Sequence, residues 1–171
     1  LLQRRPQWRD CPAAVVADDR SQGVLLWVNE RARQTRVLPG MRYAAALSLS
    51  RELRAAPVSR ARIDALCAEL VGVLHRWTPR VEAERAHEGV FWLDPRGMVS
   101  LFGSLERWTT QVAEALMLNH WKGSVVVGFS KWPSWVVARA LAMEGSAHAI
   151  LETPEEERTR ASQVPLTWLD F

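Results

Sequence analysis

The sequence predicts an α+β fold. Three observations carry that prediction. Short apolar runs rich in Val and Leu stand among amphipathic stretches at helical spacing. The order reads ββαα, then α, ββ, α, β, α, β, α, without strict βαβ alternation. The chain has 171 residues, 48% of them hydrophobic, enough for a sizeable core. The later part reads as a mixed sheet covered by helices on one face.

Residues 13–17 (AAVVA) form the first expected strand, and residues 18–23 a turn. Residues 24–28 (VLLWV) form a second strand. Asn29 caps a helix running to about Arg36, ended by Pro39-Gly40. A second short helix covers residues 43–49. Pro57-Val58-Ser59 interrupts the pattern, and Ser59 caps a long helix. Its apolar stripe is Ile63, Leu66, Cys67, Leu70, Val71, Leu74 and Trp77, and Thr78-Pro79 stops it. Residues 81–84 and 90–93 pair as antiparallel strands. A helix over 104–118 buries Leu105, Trp108, Val112, Ala115 and Leu116. Residues 124–129 (SVVVGF) are a central strand, 135–143 a helix and 147–151 a last strand. Thr153-Pro154-Glu155-Glu156 supplies an N-cap, an N1 proline and a capping-box acid for a final helix. Two domains are expected, 1–56 and 57–171.

Composition narrows the function classes. No apolar run reaches the ~18 residues that a membrane helix needs. Residues 1–6 lack the hydrophobic centre of a signal peptide. The chain does not begin with methionine, so it reads as a fragment of something longer. Two cysteines, Cys11 and Cys67, argue for a reducing compartment and against a disulfide framework. Residues 1–62 carry twelve Arg against five acids, and residues 63–171 ten bases against fourteen acids. A basic first third either attracts phosphate backbones or is a solvated face. His75, His87, His120 and Cys67 lack metal-ligand spacing. Ser130 has no His/Asp arrangement behind it, which disfavours a hydrolase. Nine Trp against one Tyr are core anchors or partner contacts.

Six motifs then fall in one order. They are residues 5–15 (RPQWRDCPAAV), 29–41 (NERARQTRVLPGM), 78–82 (TPRVE), 91–94 (FWLD), 126–130 (VVGFS) and 164–166 (VPL). Together they resemble the fingers and palm of Y-family (UmuC-like) translesion DNA polymerases. The resemblance covers nearly the whole chain and omits the family's thumb and little finger. It implies 1–56 as fingers and 57–171 as palm.

The departures are as informative. The family holds two divalent metals, ~3.5–4 Å apart, on an Asp from a first strand and an Asp-Glu pair on a later one. Aligned on Leu93-Asp94, that pair falls on Gly89 and Val90, which carry no ligand atoms. Glu88 is one register off and faces away in a period-2 strand. The segment bearing the first Asp lies before Leu1. Glu30 replaces a triphosphate-binding Tyr, and the family's Lys is missing around residues 143–146. Arg33 is retained, as a vestigial phosphate contact or a surface Arg. Asp94 matches a residue outside the metal pair and reads as structural. Trp132 and Trp135 replace polar residues in a strand-to-helix turn, where they either face a partner or cap the core.

The pattern is similar to the ImuB-type subgroup found in bacterial mutagenesis cassettes. The resemblance implies a catalytically inactive, cytoplasmic adaptor in damage-induced translesion synthesis, with no cofactor. Its implied partners are the RecA-like accessory protein ImuA, an error-prone C-family DNA polymerase and the sliding clamp. The clamp-binding peptide is expected C-terminal to this chain, and residues 163–168 read as the palm's end. Two alternatives stand beside this reading. One is an active polymerase with a site rebuilt on Glu88 or Glu84. The other is a DNA-binding module that engages primer-template DNA weakly.

Overall fold

A computed structural model describes residues 5–18, 22–85, 87 and 89–169. The chain divides into two compact units, Leu1–Leu66 and Cys67–Phe171.

The first unit is built on a three-stranded sheet. Strands β1 (Ala13–Val16) and β2 (Leu25–Val28) pair antiparallel, with Val15 opposite Trp27. Helix α1 (Glu30–Gln34) follows β2, and α2 (Tyr43–Leu49) follows α1. Asn29 caps α1 as expected and does more. Its Oδ1 accepts from Ala32 N and from Ala13 N, both at 2.9 Å, while Nδ2 donates to Cys11 O. One side chain therefore fixes the helix start against the entry to β1. Helix α1 ends earlier than expected. Arg36 takes φ 63°, and Val37 N returns to Ala32 O, so a left-handed residue stops the helix before Pro39-Gly40 is reached.

Strand β3 (Arg54–Pro57) was not foreseen. It runs parallel to β1, with Ala14 opposite Ala55 and Val16 opposite Pro57. Arg-Ala-Ala-Pro has low strand propensity, and pairing with β1 makes it a strand. Its proline sits at the strand's last residue, where a missing N–H is tolerated. Ala14, Val16, Leu25, Val28, Ala32, Val37, Ala46 and Leu53 form the core of this unit.

Helix α3 (Arg60–Leu74) starts after Ser59, whose Oγ accepts from Arg62 N. In the second unit, β4 (Val81–Ala83) and β5 (Phe91–Leu93) pair antiparallel, as expected. A short helix not foreseen, α4 (Met98–Phe102), precedes α5 (Leu105–Leu118), which Ser104 caps through Arg107 N. Leu74, Met98, Trp108, Val112 and Leu116 make a core that Phe91, Leu93, Val125 and Val127 join. Trp108 Nε1 donates to Trp77 O at 2.8 Å, so this deep indole is satisfied.

Strand β6 (Val125–Val127) pairs parallel with β7 (His148–Ile150). Two expectations are corrected here. Among the described residues β6 has β7 as its ladder partner, so it is not central in one sheet. The pair is also covered on both faces. Val125 and Val127 join the core under α5. Val126 joins a second core of Val137, Leu141 and Leu151, supplied by α6 (Lys131–Glu144) and the chain after β7. An unbroken valine run has two apolar faces, and both are buried, the usual state of parallel strands. Helix α7 (Pro154–Ser162) carries the expected N1 proline and the Thr153 cap. The capping acid Glu156 reaches one residue further back than expected, accepting from Glu152 N. A 3₁₀ turn, Leu166–Trp168, closes the described chain.

No helix is long and apolar enough to cross a membrane among the described residues. The division within α3 differs from the expected 56/57 boundary.

Candidate functional site

The β4–β5 ladder positions the residues that the sequence singled out. Val81 lies opposite Leu93, Glu82 opposite Trp92, and Ala83 opposite Phe91. Period-2 alternation sends Val81, Phe91 and Leu93 into the core. Glu82 and Trp92 share the opposite face. Beyond β4, Glu84 continues that face and accepts from Trp92 Nε1 at 3.0 Å and from Arg85 N at 2.8 Å.

Of the aligned metal positions, Val90 keeps the hairpin's register, its carbonyl accepting from Glu84 N at 2.9 Å, and Gly89 precedes it. Strand β5 begins at Phe91, and Gly89 and Val90 belong to the connection before it. Val90 N donates to His87 O at 3.2 Å, and Gly89 adopts φ 87°. Glu88 lies outside the described residues.

Residues 130–135 prove to be the start of α6 and not a free turn. Pro133 falls in the first helical turn, where its missing N–H breaks no bond. Lys131 Nζ reaches Glu82 Oε2 at 2.9 Å and lies 5.3 Å from the Trp92 ring centre. Trp132 stands edge-on to three rings: Trp92 at 6.1 Å and 83°, Trp135 at 5.8 Å and 89°, His87 at 5.4 Å and 78°. His87 also lies over Trp135 at 5.0 Å. The two tryptophans separate in role. Trp132 is 49% exposed, whereas Trp135 is 7% exposed and supports it from beneath. Phe129, 55% exposed, precedes them two residues beyond β6.

The α6 terminus is held by a buried acid. Glu157 of α7 is 1% exposed, and its Oε1 accepts from Phe129 N, Ser130 N and Ser134 Oγ at 2.9, 3.1 and 2.6 Å. Burial pushes this carboxyl up, and the hydrogen bonds from Ser134, Ser130 and Phe129 outweigh burial and lower it. A Cβ at Gly128 would overlap Ser134 Oγ and Glu157 Oε1, so a side chain there would force the Glu157 network to shift.

Asp94 bonds Arg96 Nη2 at 2.7 Å and Arg80 Nη1 at 3.1 Å. Hydrogen bonding from Arg96, then its charge and Arg80, holds the carboxyl well below the usual carboxylate range. Thr78 Oγ1 donates to the Asp94 carbonyl at 2.8 Å. The Arg80–Asp94 pair and the Thr78 bond tie the ends of the hairpin together.

The acids of this face are thus engaged: Glu82 by Lys131, Glu84 by Trp92 and Arg85 N, Asp94 by two arginines. Among the described residues no group of three or more His, Cys, Asp or Glu is placed to hold a metal ion. At the two aligned positions, Gly89 and Val90 carry no side-chain ligand atoms.

Arg33 belongs to the first unit, half-buried on α1 beside the exposed Glu30. His87, Trp92, Lys131 and Glu157 were not foreseen as members of the site. Trp92 was legible in principle, since it alternates with Phe91 and Leu93 on a strand whose other face is apolar. His87 and Glu157 had no local signal.

A mixed α+β chain with this strand and helix order has the fingers-and-palm fold of Y-family DNA polymerases. The post-insertion binary complex of Dbh DNA polymerase superposes with a TM-score of 0.64 at 15% identity, over 92% of this chain and 46% of that one. The Dbh ternary complex gives 0.64 at 17% identity, covering 91% and 44%. DinB from Sulfolobus solfataricus gives 0.57 at 19% identity, covering 68% and 33%. The chain spans less than half the length of each. The family model described as IMS, the impB/mucB/samB family, matches residues 1–139, and the chain belongs to that family. No curated protein sequence matches it.

Proposed function

We propose that this chain is the fingers-and-palm part of a non-catalytic polymerase homologue that acts as an adaptor in translesion synthesis. The observation that carries the reading is the pair Gly89-Val90, which puts hydrogen and isopropyl where relatives need carboxylates. Two-metal catalysis depends on hard oxygen ligands, and their loss removes it. The engaged state of Glu84 weighs against the alternative of a site rebuilt on that residue.

The exposed face of Trp132 is the proposed partner contact. Three perpendicular rings hold it in one orientation, so little rotamer freedom remains to be lost on binding. A half-exposed tryptophan packed on Trp92, which also meets the Lys131 ammonium, has the aromatic and cationic make-up of an interface hot spot. Trp135 then acts as its buried support. The proposed partners are the RecA-like ImuA protein, the C-family polymerase and, through other regions, the sliding clamp. Arg33 is retained in this proposal as a vestigial nucleotide contact.

The test is a titration of the chain against ImuA, with primer-template DNA in parallel. Micromolar or tighter protein binding that drops at least tenfold in Trp132→Ala, with an unchanged melting temperature, is the expected result. Unchanged affinity in Trp132→Ala removes the surface from the proposal. Tight DNA binding without protein binding removes the adaptor role.

A further inference from the structure

A second surface begins at the open end of the β4–β5 hairpin, and it does not depend on the non-catalytic reading. Asp94 accepts from Arg96 Nε at 3.0 and 2.9 Å, one bond to each oxygen, from Arg96 Nη2 at 2.7 Å and from Arg80 Nη1 at 3.1 Å. The carboxylate is mostly covered, whereas the Arg80 and Arg96 side chains are 68% and 80% exposed. One acid thus fixes two guanidiniums and cancels only one of their charges. Arg96 binds it side-on through Nε and Nη2, which leaves the outer edge of the fork for another anion. Helix α4 follows at once, Met98 N donating to Pro95 O at 3.0 Å. Its inner side is Met98 and Phe102, one turn apart, which pack on the core with Phe102 against Trp77 at 5.7 Å. Val99 and Leu101 are left outside that core, on either side of exposed Ser100, and Leu101 is 74% exposed.

We propose that the Arg80–Arg96 pair and the outer side of α4 form a docking surface for an acidic segment of a partner protein, one with aliphatic side chains among its carboxylates. Charge complementarity selects the acid. A guanidinium fork matches a carboxylate in shape and in donor spacing, and Asp94 holds both forks in place before anything binds. Their ordering is therefore not a cost of association. The aliphatic requirement comes from Val99 and Leu101. A nucleic-acid backbone satisfies the arginines but offers nothing apolar to cover Leu101, whereas a leucine-bearing peptide covers both. Arginine beside an apolar contact is also the composition of interface cores. The nearest further charges in sequence, Glu106 and Arg107 in the first turn of α5, are both exposed and opposite in sign, so they leave the excess positive charge unchanged.

The test titrates the 171-residue chain with a fluorescein-labelled peptide of alternating glutamate and leucine pairs, read by anisotropy. The same peptide with serine for leucine, and an oligothymidylate of equal length, run beside it. The expected result is saturable binding of the leucine peptide, at least about fivefold tighter than either control. Arg96→Gln and Leu101→Ser should each weaken it about fivefold or more, while Arg158→Gln, which removes a charge on α7, should change it less than about twofold. Leu101→Ser alters an exposed side chain outside the core, so it decides the matter even if Arg96→Gln loosens the hairpin. Amide shifts on binding should map to Arg80 and residues 96–101. Equal binding of the serine peptide overturns the proposal, because charge alone then suffices. Tighter binding of oligothymidylate at the same amides makes the surface a phosphate contact and overturns it. Self-association that Leu101→Ser abolishes makes a second copy the occupant and also overturns it, as does the lack of any saturable peptide binding.

Discussion

Asn29 and Glu157 are both buried, and each joins pieces of chain far apart in sequence. Asn29 holds Ala13 N and Ala32 N on one oxygen. Asn29→Ala therefore removes a helix cap and leaves a buried strand N–H unpaired, and should cost about 2–3 kcal/mol in urea denaturation. Glu157 gathers two backbone amides and one hydroxyl at the start of α6. Its folded pKa is lowered, so its carboxylate stabilises the fold above the unfolded value and stops doing so as pH falls through the folded one. Glu157→Gln should lower stability by roughly 1–2 kcal/mol at neutral pH, where the charge-assisted bonds are intact. The gap between parent and variant should close on acidification, and a pH series of urea midpoints checks it. The Asn29 cap was legible, because its signal lies within three residues. The Glu157 contacts were not: the acid lies in an ordinary acidic first turn, and its partners lie 23 to 28 residues earlier.

At the level of elements, β6, α6 and α7 meet at Gly128. A methyl group there would overlap both Ser134 Oγ and Glu157 Oε1. Gly128→Ala should cost about 2–4 kcal/mol, through strain and loss of the Glu157 bonds. Gly123→Ala, where a Cβ would meet nothing within 4 Å, should stay within about 0.5 kcal/mol of the parent. Thermal denaturation of the two variants side by side separates a packing requirement from the general cost of replacing glycine. The helices α3 and α5 were legible from 3.6-residue periodicity, and α7 from its cap. Strand β3 was not, because Arg54-Ala55-Ala56-Pro57 acquires its strand conformation from β1 across the sheet. The start of α6 was hidden for a related reason. Pro133 looks like a breaker unless the helix is known to begin at Lys131.

Over the whole molecule, charge is uneven: twelve Arg and five acids precede residue 63, while acids prevail after it. Any affinity of the chain for primer-template DNA should therefore be carried by phosphate contacts and fall steeply with salt. Binding measured across a salt series, by fluorescence anisotropy, should give a linear fall of log affinity with log salt concentration. A salt-insensitive affinity would point to base or ring contacts instead. The sequence by itself determined the α+β class, the order of motifs and the absence of ligand atoms at residues 89 and 90. Each of these is a property of residue type at a position, readable without knowing what lies across the fold. Tertiary structure decided which of two tryptophans is exposed, and that both faces of β6 are covered. It also decided that Gly89, just before β5, takes a positive φ. Those outcomes depend on burial and pairing between segments distant in sequence, and no local pattern encodes them.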